Sequence, residues 1–258
     1  MNTVLRRREP HDWWNTIALG VVGVIAILLI WLSVRLSASP RVTEINRVEA
    51  GAPSTQAASP QLASMAVNTT ESVPTSLADA GEFGENIYDY AKANDWKNAG
   101  VKLAALRAAA KQVRADVKND NSAVEQLDGN VAALDNAVSA KDRQATMREA
   151  NQVTLDAANM TIAYKLSVPV EVTILDYYGR ELEVWAQAKD ANKLQETARE
   201  MRLTWDAVRP SIDAKSATEA KKFEALVTQV EGAKTPADDA RVATLVLNEV
   251  DNLEKLFH

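Results

Sequence analysis

Residues 72–95, SVPTSLADAGEFGENIYDYAKAND, lie without a gap over residues 167–190, SVPVEVTILDYYGRELEVWAQAKD. Ser72, Val73, Pro74, Gly84, Ala91, Ala93 and Asp95 match Ser167, Val168, Pro169, Gly179, Ala186, Ala188 and Asp190. Phe83 faces Tyr178, Ile87 faces Leu182 and Tyr90 faces Trp185. In the same register Arg107, Val113 and Arg114 match Arg202, Val208 and Arg209. After a slip of about three residues, RQATMREANQVTLD (143–156) still resembles RVATLVLNEVDNLE (241–254). Self-similarity at a fixed period marks a repeated supersecondary unit. A shared Ser-Val-Pro, aromatic-Gly and Ala-x-Ala-x-Asp in one register is hard to obtain by chance among Ala-rich helices.

Working outward, each copy parses into four helical segments. They fall near 74–93, 95–118, 121–139 and 142–166 in the first copy, and near 169–188, 190–209, 214–231 and 236–256 in the second. Pro74 and Pro169 fit a first helical turn, and Asp95, Asp142 and Asp190 are candidate N-caps. Pro210 marks a stop, Pro236 a start, and Gly232 suits a C-cap. The 142–166 helix runs into Pro169 with almost no linker, so the copies are expected to pack tightly as one rigid body.

The chain of 258 residues is 47% hydrophobic and 25% charged, with only nine glycines and eight prolines. Long runs rich in Ala, Leu, Lys, Glu and Gln favour helices over a strand-rich fold. The expected class is therefore all-α: an N-terminal transmembrane helix, then a duplicated four-helix unit, arranged as two tandem bundles or one pseudo-symmetric eight-helix domain.

Ile17 to Val34, IALGVVGVIAILLIWLSV, is eighteen residues without a charge. That is about 27 Å of helix, close to the thickness of a bilayer core. Trp13 and Trp14 at one end and Trp31 near the other suit the interfaces, and Arg35 can snorkel outward. Basic residues flank both ends, so their count does not set the orientation. The short N-terminal tail and long acidic body favour N-terminus in and body out. A cleavable signal peptide is the rival, with SAS after Arg35 as its cleavage motif, but the apolar run is long for one. The expected organisation is a cytoplasmic tail (1–14), a signal anchor (15–36), a Ser/Ala/Thr/Pro linker (37–71), and helical repeats at 72–166 and 167–258. The expected place is the inner membrane, single-pass, with the body periplasmic or otherwise extracytoplasmic.

Net charge is −6, with about +2 in residues 1–50 and about −8 in the rest. An acidic body lacks the basic stripe that nucleic acid requires, so no nucleic-acid partner is expected. There is no cysteine, and the two histidines are His11 and His258, near the chain's ends. Disulfides, thiolate metal sites and interior imidazole chemistry are thereby excluded. No phosphate loop, dinucleotide-binding glycine motif or nucleophile elbow is present. Neither enzymatic activity nor a cofactor is expected. The expectation is a module that binds a protein partner in or at the membrane, or a structural one. The alternative is a small-molecule or metal-binding domain using the groove between the copies.

In both copies the glycine lies on the core-facing seam: Val73, Leu77, Ala80, Gly84, Ile87, Ala91, and Val168, Val172, Leu175, Gly179, Leu182, Ala186. A missing side chain there lets a neighbouring backbone approach, against a helix cost of roughly 1 kcal/mol relative to Ala. The aromatics Phe83 with Tyr90, and Tyr178 with Trp185, read as a packing edge beside it. The candidate ligand or partner site of the second copy is Asp176, Tyr177, Tyr178, Gly179, Arg180 and Trp185, because the first copy has Gly81, Glu85 and Asn86 where the second has Asp176, Arg180 and Glu181. Asp176 and Arg180 also fit an ordinary i, i+4 surface pair. Asn151 falls on a core stripe and calls for structural pairing. Met147, Met160 and Met201 read as core, and Asp79, Glu82, Glu85 and Asp89 as surface. No metal site is expected.

Overall fold

The structure is a computed structural model, and it describes residues 71–117 and 120–258. The expected tail, anchor and nearly all of the linker lie outside the described residues. The described chain is all-helical, with eight helices: α1 (Thr75–Lys92), α2 (Trp96–Asp116), α3 (Asn121–Ala140), α4 (Arg143–Thr161), α5 (Val170–Ala188), α6 (Ala191–Lys215), α7 (Ala217–Gly232) and α8 (Pro236–Lys255). Among them no helix is long and apolar enough to cross a membrane.

Short connections make successive helices neighbours. In the first set α1 packs on α2 and α4, and α3 on α2 and α4. In the second α5 packs on α6 and α8, and α7 on α6 and α8. Each ring of four closes around its own apolar core. The first is built on residues such as Leu77, Ile87, Leu106, Leu134 and Met147. The second is built on Leu175, Leu182, Met201, Trp205 and Phe223.

Local chemistry repeats between the sets. Pro74 (ψ 136°) and Pro169 (ψ 134°) both stand at the N-cap, one position before the first helical turn. Asp95, Asp142 and Asp190 cap α2, α4 and α6, accepting from the backbone N–H of Asn98, Ala145 and Lys193 at 3.1, 3.0 and 3.1 Å. Asn94 (φ 58°) and Lys189 (φ 56°) occupy the same left-handed position after α1 and α5. There the N–H of Asp95 and Asp190 reaches back to the carbonyls of Tyr90 and Trp185. Lys141 (φ 51°) ends α3 in the same way.

Glycine commonly fills this position because a Cβ there costs about 1 kcal/mol. Replacing Lys141 or Lys189 with Gly is expected to stabilise the protein by about 1 kcal/mol each, read as a higher urea midpoint at unchanged slope. An unchanged or lower midpoint would contradict the expectation.

Three boundaries differ from the sequence reading. Pro210 does not end its helix, since α6 continues through it to Lys215. Pro210 and Asp206 are both exposed, so the Asp206 carbonyl that proline cannot engage lies on the solvent side of the helix. Beyond Pro210, Ile212 is fully buried in the second core, which helps offset the roughly 3 kcal/mol cost of an interior proline. α4 stops at Thr161, so residues 162–169 form a real connection, and Lys165 N–H donates to the Glu71 carbonyl at 3.2 Å. Gly232 is the last residue of α7, and Ala233 holds the C-cap in an extended conformation.

Candidate functional site

Both seam glycines are buried, and each faces a different neighbour. A Cβ on Gly84 would stand 2.7 Å from Thr154 Oγ1 and 3.0 Å from the Ala150 carbonyl oxygen, so the backbones of α1 and α4 are in near contact. A Cβ on Gly179 would meet side chains instead: Leu247 Cδ2 at 2.7 Å and Val246 Cγ1 at 3.3 Å, both on α8. Phe83 and Tyr90 pack beside the first core, and Tyr178 beside the second. Trp185 packs against both cores.

The remaining candidates of the second copy face the first bundle. α5 packs along α4 as well as within its own ring. Val184, 1% exposed, belongs to the core of the first bundle, where the first copy has Asp89 at the equivalent position of α1. Asn151 on α4, 1% exposed, donates to the Tyr177 carbonyl at 3.1 Å and to Glu181 Oε1 at 2.9 Å. The Trp185 indole N–H donates to Glu181 Oε2 at 2.5 Å. Burial raises the Glu181 carboxyl above the usual range even though these two donors favour its charged form. Tyr177 meets Tyr178 edge-on at 5.2 Å between ring centroids, and burial pushes its hydroxyl well above the usual tyrosine range.

On the other side of α5, Arg180 is only 12% exposed and is held by three carboxylates: Asp176 at 2.7 Å, Asp89 at 3.6 Å and Glu85 at 3.8 Å. Its guanidinium also lies 4.9 Å from the Tyr88 ring centroid. Burial alone would lower its pKa, but the facing carboxylates of Asp176, Glu85 and Asp89 reverse this and leave it raised. Next to it the Tyr88 hydroxyl donates to Glu183 Oε2 at 2.8 Å, and Lys92 Nζ reaches both Glu183 oxygens at 2.7 and 2.8 Å.

Tyr88 and Glu183 are 95 positions apart, as are Glu85 and Arg180, so each pair joins equivalent positions of the two copies. Contacts between equivalent positions are what a local two-fold relation of α1 and α5 would give. The symmetry is broken by α5 docking on α4, for which α1 and α8 show no counterpart of comparable extent among the described residues. The sequence reading did not single out Tyr88, Lys92 or Glu183. The opposite charges of Glu85 and Arg180 at one register position were the available signal.

Glu85 is the carboxyl most altered by this arrangement. Burial pushes it up to about 7, and although Arg180 favours the charged form, Asp176, Glu254 on α8 and Asp89 oppose it. A raised carboxyl pKa means that the folded state holds the proton more tightly. Its stabilising contribution is then full below about 4.5 and is lost as pH rises through about 7. Since 37% of the side chain is exposed, solvent screens part of the effect. Glu85→Gln is expected to remove this component, so the difference in melting temperature between variant and wild type grows from pH 5 to pH 8 in the variant's favour. Parallel profiles would contradict it.

Among the described residues no group of three acidic or imidazole side chains is placed to hold a metal ion. Met147, Met160 and Met201 are buried in the two bundles. The residues peculiar to α5 pair with groups on α1 and α4, although the buried Asn151 Oδ1 has no hydrogen-bond partner among the described residues. Comparison with family models, with curated proteins and with solved structures gives no match to this chain.

Proposed function

We propose that the protein is a membrane-anchored, extracytoplasmic helical-bundle protein whose duplicated body acts as a partner-binding or structural module. The observation that carries this reading is the sequence order: an uncharged run of eighteen residues edged by tryptophans, then a low-complexity stretch, then the helical body. The matching caps, glycines and left-handed residues of the two ring sets support an internal duplication. The inter-copy pairing of Arg180, Glu183, Val184 and Asn151 supports the two bundles acting as one rigid unit. Such a unit, tethered by residues 37–71, presents the outer faces of two bundles to a partner in or at the membrane.

Membrane fractionation tests the anchor. The full chain is expected to stay in the pellet after alkaline extraction, with its body open to protease only from the extracytoplasmic side. Release by alkali, or a mature chain beginning near Ser39, would overturn it.

A second reading, a small-molecule site between the copies, is favoured by one specific observation. A cavity of about 340 Å³ lies between α1, α4 and the start of α5.

A further inference from the structure

The cavity between the copies has an uneven chemistry. Its floor is small and apolar, with Gly81 on α1 opposite Ala157 on α4, and Leu77 and Val168 form walls. The Gly81 Cα is close enough to α4 that an added Cβ would touch Ala157 Cβ at 3.5 Å, so ordinary packing closes the bottom. At about 340 Å³ its size lies at the lower end of small-ligand pockets. Two carboxylates, Glu82 and Glu85, stand three residues apart on the same face of α1 and line it.

The charge around Glu85 is one-sided. Its neighbours are Asp89 on its own helix, Asp176 and Arg180 on α5, and Glu254 on α8, which His258 offsets in part. Of the three carboxylates paired with Arg180, Asp176 is the nearest at 2.7 Å, Asp89 lies at 3.6 Å, and Glu85 is the farthest at 3.8 Å. Glu85 is therefore the least committed partner of that arginine, and it borders the cavity. Equivalent positions in α5 carry Thr173, Asp176, Tyr177 and Arg180 in place of Ala78, Gly81, Glu82 and Glu85, so the second copy lacks both the small floor and the acidic rim.

We infer, resting on the second reading above, that this groove binds a small primary alkyl amine, its hydrocarbon stem along the Gly81–Ala157 floor and its ammonium between the Glu82 and Glu85 carboxylates. An ammonium there adds positive charge beside carboxylates that share the single Arg180 guanidinium among Asp176, Asp89 and Glu85. A carboxylate or neutral alcohol of the same length gains the apolar contact, and hydrogen bonds from lining hydroxyls such as Thr161 and Ser167, but not the charge attraction of Glu82 and Glu85. Because Glu85 holds a proton near pH 7, an ammonium displaces it, and affinity rises between pH 6 and pH 8.

The test is methyl NMR on the full chain, following Leu77 and Val168 during titration with n-hexylammonium, hexanol or hexanoate at constant ionic strength. The expected result is saturable shifts with hexylammonium only, weakened tenfold or more in Glu82→Gln/Glu85→Gln, with spectra otherwise unchanged. Equal binding of hexanol or hexanoate would overturn the amine assignment while keeping a ligand site in the groove. No saturable shift with any of the three would overturn both. Hexylammonium binding that is indifferent to the double substitution would place the ligand elsewhere and overturn the inference.

Discussion

Arg180→Met is expected to destabilise the protein by about 3 kcal/mol, because it leaves the Asp176 carboxylate, 14% exposed, without its 2.7 Å partner. Methionine keeps the apolar stem of the arginine, so the loss reports charge and hydrogen bonding more than volume. The inter-copy pairs to Glu85 and Asp89 are lost at the same time. The effect is therefore expected in how the bundles hold together as well as in total stability. Urea unfolding followed by separate probes in the two bundles should show midpoints that coincide in the wild type and part in the variant. Asp176→Asn/Arg180→Met is expected to recover a large share of the loss, since removing both partners of a buried pair costs far less than removing one. A single variant within about 0.5 kcal/mol of wild type, the spread of ordinary surface substitutions, would contradict the role given to Arg180.

Gly84→Ala is expected to cost about 2 kcal/mol. Its Cβ would sit 3.0 Å from the Ala150 carbonyl oxygen and 2.7 Å from Thr154 Oγ1. Thr154 is buried and its hydroxyl donates to the Ala150 carbonyl at 3.3 Å, so α1 and α4 must separate to make room. Overpacking of this kind costs up to about 3 kcal/mol, against about 1 kcal/mol gained in helix propensity. Gly179→Ala meets the end of the Leu247 side chain, which is only half-buried and can turn toward solvent. The two terms there nearly cancel, and a change within about 1 kcal/mol is expected. Chemical denaturation of the two variants checks the contrast. Equal effects at both glycines would mean that backbone contact is not what the first glycine serves.

Most of the helical layout was legible in the sequence because it is set by local chemistry. The Asp caps, the apolar seams and the glycine on each seam all follow from spacing within one turn or two. Pro210 was misleading for the opposite reason. Its local rule is sound, but burial of Ile212 two residues later overrides it, and such burial is decided by α6 packing inside a closed ring. The site was only half legible. Asp176, Tyr177 and Arg180 stood out because the first copy lacks them, yet a helix that packs on two sides reads in isolation like a helix with one solvated face. The substitution of Asp89 by Val184 at the same register was the clearest sign of a second buried face, and it gains meaning only beside Asn151 and the first core. Gly179 in DYYGREL serves the α8 contact, and its polar neighbours serve the contact between copies.

The two four-helix rings are expected to behave as one unit through α5. Three tryptophans of the described body report on it: Trp96 in the first bundle, Trp205 in the second, and Trp185 packed against both cores. Fluorine NMR of the full chain labelled at tryptophan, followed through urea unfolding, reads all three at once. Coincident midpoints for Trp96, Trp185 and Trp205 are predicted, and a Trp205 transition separate from that of Trp96 in the wild type would contradict the account.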